Sequence, residues 1–288
     1  MEQESSGVIS SKSQISYDYA TIKITKSRID RGLVAFPRSL AKYFPARNKM
    51  IQVYLDDATT FQPKQYSSYT SSTREGRIGG LKEWLQKNSI RSNDEIVIQF
   101  LDREHYVYRL IPERDFIVRT QELQESLDSS LSDDEASSSV ADLVKWIRLD
   151  KAEVISNEYD RLLNAFPTQI ERRFAVRRLG RARESAPPNV RTLLEEIYRG
   201  HCQICDFWFL KEDKRPYFEI HHLNPAKGHH PRNLLVVCGN CHNQFEYANV
   251  KHEFDNEWLV GVSFNERFYA VKQVALKVAR EFRKTLFV

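Results

Sequence analysis

Residues 217–246 hold five of the chain's eight histidines and two of its four cysteines. The other two, Cys202 and Cys205, lie just upstream. All four cysteines therefore fall in two Cys-x-x-Cys pairs, "CQIC" and "CGNC", with 32 residues between them. Each pair offers two thiolates from one tight turn, and two such turns complete a tetrahedral Zn²⁺ site. A thioredoxin-like dithiol would need a surrounding βαβ pattern that is missing, and unrelated core cysteines would not repeat the spacing. Cys202, Cys205, Cys238 and Cys241 are therefore read as the ligands of one structural zinc. Four thiolates leave no open position for water or substrate. The ion would staple a module of about forty residues, too small to be held by an apolar core alone. That task leaves the histidines over, and histidine is the side chain whose charge changes near neutral pH and which ligates metals most often.

The elements that carry them follow from local pattern. "FEIHHLNP" (218–225) reads as a strand entering a turn, "RNLLVVC" (232–238) as a loop leading to a short strand, and "CHNQFEY" (241–247) as the start of a helix. His221 and His222 then sit on a hairpin, Asn233 on its loop and His242 at a helix start. The order His222, Asn233, His242, framed by Cys-x-x-Cys on both sides, resembles the HNH, or ββα-metal, endonuclease family. The resemblance covers about residues 198–246 and rests on the composite "E-I-H-H-x-x-P", "R-N-L" and "C-x-x-C-H".

Phosphodiester hydrolysis needs a base for water, a cation on the phosphate and a stabiliser for the leaving oxygen. The resemblance implies these roles. His222 would be the general base. His221 and His242 would ligate a single Mg²⁺ or Mn²⁺ ion, and Asn233 would tether the loop and orient His222 or its backbone. Successive strand residues point to opposite faces, so the chain must bend or twist for His221 and His222 to share one site. Glu246 stands where some members carry another histidine, one turn after His242, and a carboxylate suits a hard cation as a third ligand. His229 and His230 occupy places that many members give to glycine and are read as loop or phosphate-contact residues.

Something must choose the DNA, and the front half offers a candidate. Alternating runs at 19–25, 50–56, 95–102 and 105–112 read as strands, interrupted by short helical stretches at 36–45 and 79–89. "LVAFPRSLAKYFP" (33–45), "VYLDD" (53–57) and "GRIGGLKEWLQKNSIRSNDEIVIQFLD" (76–102) together resemble the DNA-recognition pseudobarrel of plant B-three-type transcription factors. The effector-binding domain of EcoRII-type restriction enzymes shares that fold. The likeness covers about residues 23–112 and implies two arms that embrace the major groove. Here they are "TKSRIDRG" (25–32), with Lys26, Arg28 and Arg31, and "YSSYTSSTREGRIGG" (66–80), with Arg74 and Arg77. Arginine pairs bidentately with guanine, while hydroxyls and lysines hold phosphates. Solvated charged loops are the plainer reading.

The whole chain of 288 residues, with a net charge of +4, is expected to be a two-domain α+β protein. The expected divisions are a disordered tail (1–16), the pseudobarrel (17–119), an acidic Ser-rich linker (120–142) and a nuclease domain (143–288, core 198–250) with flanking helices. The linker has seven acidic residues in 121–142 and no Lys or Arg. A helical region is expected from 143 to 183. It would end in a basic run with Arg172, Arg173, Arg177 and Arg178, either a phosphate-contacting helix or a surface helix against the acidic linker. An amphipathic helix over 264–284 would supply a homodimer contact or intramolecular core.

No signal peptide or membrane span is read, so a cytoplasmic location is expected. The expected function is a DNA endonuclease of the restriction type, sequence-specific or modification-dependent, acting on double-stranded DNA. The alternatives are a DNA-binding regulator with an inactive zinc-stapled fold and a nuclease toxin. After exhaustive exchange into Mg²⁺, elemental analysis should still find about one zinc per chain; well-folded, zinc-free protein would refute the four-cysteine site.

Overall fold

In a computed structural model, residues 9–68, 75–165, 174–177, 180–183 and 185–273 are described. The architecture is α+β, as expected. The chain divides into two compact units, 1–122 and 123–288. Among the described residues, no helix is long and apolar enough to cross a membrane.

The first unit is built on one eight-stranded sheet. Its elements are β1 (Ile9–Lys12), β2 (Tyr19–Lys23), α1 (Lys26–Arg31), β3 (Val34–Phe36), a 3-10 turn (Arg38–Tyr43), β4 (Lys49–Leu55), β5 (Gln62–Ser67), β6 (Gly76–Ile78), α2 (Lys82–Lys87), β7 (Glu95–Asp102) and β8 (Val107–Pro112). The strand order is β1-β2-β7-β8-β4-β5-β6-β3, antiparallel except for the β4–β8 pair. Alternation decides which face is buried. On β4, Ile51, Val53 and Leu55 point inward while Gln52 and Tyr54 are half exposed. The core gathers Ile22, Ile24, Ile78, Leu81, Leu85 and Ile96 around an aromatic stack. In that stack Phe44 lies on Tyr66 and on Tyr108, with centroids 5.4 and 4.9 Å apart. The first arm folds as the short helix α1, closed by Gly32 in the left-handed region (φ 64°). Of the second arm, 69–74 and with it Arg74 lie outside the described residues, while Arg77 is on β6.

The stretch 120–142 is not an unstructured linker. It forms the second half of α3 (Glu113–Asp128) and the first half of α4 (Asp133–Ile147), and the boundary between the units falls inside α3. The serines and acids that mimic a linker are a helix start. Ser132 Oγ accepts from Glu135 N (3.2 Å), and the Glu135 carboxylate accepts from Leu131 N (2.8 Å), a variant of the capping box. Asp133, Asp134 and Glu135 sit in the first turn, where the helix dipole favours them. Ala136, Val140, Leu143 and Ile147 then make one buried stripe.

The rest of the second unit begins with α5 (Lys151–Ala165). In its described part the basic run is strand, not helix. It contributes β9 (Phe174–Arg177) and β10 (Gly180–Arg183), paired antiparallel with Arg177 opposite Gly180. Gly180, Arg181, Ala182 and Arg183 alternate with period two, and glycine is a poor helix former. Arg177 is on β9; Arg172, Arg173 and Arg178 lie outside the described residues. α6 (Pro188–Tyr198) packs with α4 and α5. Among these helices Glu158 is fully buried, accepting from Gln124 (2.7 Å) and Arg161 (2.7 Å), and Arg161 also forks onto Asp128.

The hairpin β11 (Glu219–His222) and β12 (Leu234–Val237) leads into α7 (Gly239–Tyr247). A three-stranded sheet follows, with β13 (Val250–Asp255), β14 (Trp258–Phe264) and β15 (Arg267–Ala270). The helix expected over 264–284 is therefore wrong up to residue 270. β14 buries Trp258, Leu259, Val262 and Phe264 with strand spacing, and Phe268 is exposed on β15. Residues 274–288, where the proposed dimer stripe continues, are outside the described part.

Gly32 carries a fold prediction. A Cβ there would stand 2.8 Å from the Lys82 backbone nitrogen in a left-handed conformation. Gly32→Ala should cost at least about 1–2 kcal/mol, whereas Gly79→Ala, whose methyl meets nothing nearer than 3.9 Å, should be nearly neutral. Urea unfolding of the two variants checks the contrast.

Candidate active site

The four cysteines meet. Cys202 and Cys205 follow the end of α6. Cys238 closes β12 and caps α7, its Sγ accepting from Cys241 N at 3.4 Å. All four sulfurs lie within 4.8 Å of one another, and none is in a disulfide. Cys205 Sγ is 3.7 Å from Cys238 Sγ and 3.5 Å from Cys241 Sγ. A tetrahedron with Zn–S bonds of about 2.3 Å has S–S edges of about 3.8 Å, so the donor set fits one zinc. As thiols, three of them are at odds. The Cys241 S–H donor pulls Cys202 down to about 4, burial pushes Cys205 up to about 11, and Cys241 is driven far up by its bond to Cys202. A dication would let all four be thiolates.

Gln203, inside the first knuckle and 1% exposed, zips that knuckle to β12. Its backbone N–H donates to Val236 O (2.9 Å), its Oε1 accepts from Val236 N (2.8 Å), and its Nε2 donates to Lys272 O (2.8 Å). No sequence pattern distinguishes this glutamine from a surface one.

The β11–β12 ladder is regular through both adjacent histidines, His221 opposite Leu235 and His222 opposite Leu234. Neighbours on a regular strand leave on opposite faces, so the expected bend that would bring both to one point is absent. His221 stacks on Phe245 of α7 (4.0 Å, 12°) and meets the His242 ring edge-on at 5.2 Å. Burial holds its imidazole down to about 4, with His242 and His252 adding repulsion, so it is neutral near pH 7 and keeps a lone pair for a cation. His242 Nδ1 is hydrogen-bonded to the Glu219 carboxylate. That acid is held below its usual range by Tyr217 and His242 against the opposing effect of its burial.

His222, 7% exposed, is hydrogen-bonded through Nε2 to His229 Nδ1 at 3.1 Å, and His229 is 9% exposed. His229 is thus a partner of His222 rather than a loop residue open to phosphate. Asn233 ties the loop. Its Oδ1 accepts from Asn224 N (2.8 Å), and its Nδ2 donates to Asn224 O (3.2 Å) and Gly228 O (2.9 Å). His230 is buried, accepting from Arg232 N and donating to Leu163 O on α5.

Glu246 is exposed on α7. Among the described residues, the four cysteines alone gather as a group of metal donors at close range. His221, His242 and Glu246 do not, because Phe245 takes the inward place on that turn of α7. His252 on β13, which sequence reasoning passed over, lies parallel to Phe245 at 6.0 Å. It also lines a cleft of about 350 Å³ with Lys227, His230, Arg232 and Asn233.

In the first unit Lys26 and Arg31 are exposed on α1. Arg28 pairs with Glu75 at 3.1 Å, and Arg77 reaches the same carboxylate at 3.8 Å.

No protein-family model matches the chain, and no curated protein matches it. Among solved structures, an Arabidopsis FUS3–DNA complex is similar at 13% identity, covering 32% of this chain and 92% of that one, with a TM-score of 0.28.

Burial lowers the affinity of His221, His230 and His252 for a proton. With folded values below the unfolded one of about 6.5, the unfolded chain binds more protons between them. The contribution to stability is therefore complete above about pH 6.5 and shrinks as the pH falls toward the folded values. Thermal melts of zinc-loaded protein should drop on acidification, and His230→Gln should drop less than wild type. An equal drop in both would exclude His230 as a contributor.

Proposed function

We propose that this chain is a DNA endonuclease of the restriction type, with DNA chosen by the first unit and cut by the ββα hairpin and helix of the second. The observation that carries the reading is the placement of His221 and His242, ring against ring, on a hairpin and helix pinned by the four cysteines. His221 and His242 would hold a divalent cation, Mg²⁺ or Mn²⁺, which supplies charge neutralisation at the phosphate. His222 would take the proton of the attacking water, and His229, bonded to it, would share the charge it gains. Asn233 would keep the loop between the strands closed around this pair. Lys227 and Arg232 beside the cleft suit the phosphate backbone.

In the first unit, the exposed Lys26 and Arg31 on α1 and the Arg28–Glu75–Arg77 group support contact with double-stranded DNA. A single such site cuts one strand, so a double-strand break calls for two copies of the chain. The working location would be the cytoplasm, where foreign DNA is met.

One observation favours a second reading, a DNA-binding regulator whose zinc-stapled module is inactive. Glu246 is exposed, and no third donor joins His221 and His242 at ligand distance among the described residues.

Incubation with Mg²⁺ or Mn²⁺ and plasmids of differing methylation separates the two. Nicking or cleavage by wild type, reduced about 100-fold or more in His222→Ala, supports the nuclease. Retarded but uncut DNA, with the two proteins behaving alike, leaves the regulator.

A further inference from the structure

Glu219 opens β11, opposite Val237 of β12, so the hairpin register delivers its carboxylate beside the second knuckle and the first turn of α7. There it is held twice, accepting from the Tyr217 hydroxyl through Oε1 and meeting His242 Nδ1 through Oε2. A carboxylate only accepts hydrogen bonds, so Nδ1 must be the protonated nitrogen of the His242 ring. In the neutral ring Nε2 then carries the lone pair. The knuckle itself makes the room. A Cβ on Gly239 would stand 2.9 Å from the Tyr217 hydroxyl and 3.2 Å from Glu219 Oε1. The glycine of "CGNC" is thus matched to this carboxylate as well as to the turn between the two cysteines.

We infer that Glu219 is a positioning residue: seated by Tyr217 and given space by Gly239, it fixes His242 in the Nδ1–H tautomer and leaves Nε2 as the donor for a divalent cation. This rests on the reading that His242 binds the cation. Carboxylates that orient metal-bound imidazoles in this way are worth about 10–100-fold in metal affinity. The arrangement also gives the knuckle a second task, because the two cysteines that bracket Gly239 hold the wall against which Tyr217 and Glu219 sit.

The test uses the full chain, ¹⁵N-labelled at histidine, with zinc content and far-UV dichroism checked in every variant. In wild type, long-range ¹H–¹⁵N correlation should report His242 as the Nδ1–H tautomer. In Glu219→Ala the Nε2–H form should appear, and Mn²⁺ affinity measured by electron paramagnetic resonance should fall about 10–100-fold. Glu219→Asp should recover part of both. If Glu219→Ala keeps its zinc and fold with tautomer and Mn²⁺ affinity unchanged, the inference is overturned.

Should Glu219→Ala fail to fold, Tyr217→Phe decides. It leaves the carboxylate–imidazole pair but removes its second anchor, so a weakened Mn²⁺ affinity and a mixed tautomer support the role, and no change in either sinks it. Should wild type bind no Mn²⁺ and cut no DNA, the nuclease reading fails, and the tautomer comparison alone still judges Glu219.

Discussion

Everything in the second half of this chain that resembles a reactive site hangs on four sulfur atoms meeting. Cys202 and Cys205 are brought in by the end of α6, and Cys238 and Cys241 by the junction of β12 and α7. Between them the hairpin is a long loop with a few apolar contacts. A structural zinc contributes about 10–16 kcal/mol of binding free energy, as much as the entire net stability of an ordinary domain, about 5–15 kcal/mol. The small core around the knuckles, Ile204, Leu235, Val237, Leu259 and Val262, packs against that fixed point. Gln203 adds the register, since a side chain that both donates and accepts along β12 and beyond leaves the first knuckle one way to dock.

The second constraint is the pleat of β11. Because adjacent side chains diverge, the pair His221–His222 cannot act as one group, and the structure sorts the imidazoles into two couples. One is His221 with His242, backed by Phe245 and Glu219. The other is His222 with His229, closed in by the loop that Asn233 ties. On one side His221, desolvated and held low by burial, offers a lone pair. Two hydrogen-bonded imidazoles on the other offer a place for a proton.

What could be read in the residues, and what could not, follows from the range of the interactions. The cysteine pairs carry their ligand geometry in their own spacing. The strand at 50–56 shows its burial by alternation, so these are legible. The start of α4 was not, because Ser132, Asp133 and Glu135 have the composition of a linker and act as a cap only when the stripe from Ala136 to Ile147 is counted with them. β9 and β10 are hidden because each is only four residues long, too short for alternation to stand out from a charged run. β14 and β15 were hidden by a stripe of apolar residues that fits a helix and a hairpin equally. Glu219 and Gln203 escape notice, and His229 is given the wrong neighbour, for one reason: each acts on a partner that only the folded hairpin brings near.

Charge in the first unit makes the same point about partners. Counting arginines in the two arms suggests four or more cations facing DNA. Yet Arg28 and Arg77 converge on Glu75, so one carboxylate offsets part of their field and ties α1 to β6. The sharing need not silence them. All three side chains keep some contact with water, and ion pairs that water reaches are worth about 0–1 kcal/mol, so a phosphate or a guanine edge can replace Glu75 at little cost. What Glu75 supplies is placement. It holds two long side chains in one region, which would lower the rotamer entropy lost if DNA bound there as proposed above. Lys26 and Arg31, exposed on α1, have no such tether among the described contacts and would act as loosely held charge. Under the DNA reading proposed above, the first pair would suit a base edge and the second the phosphate backbone, whose demands on direction are weaker.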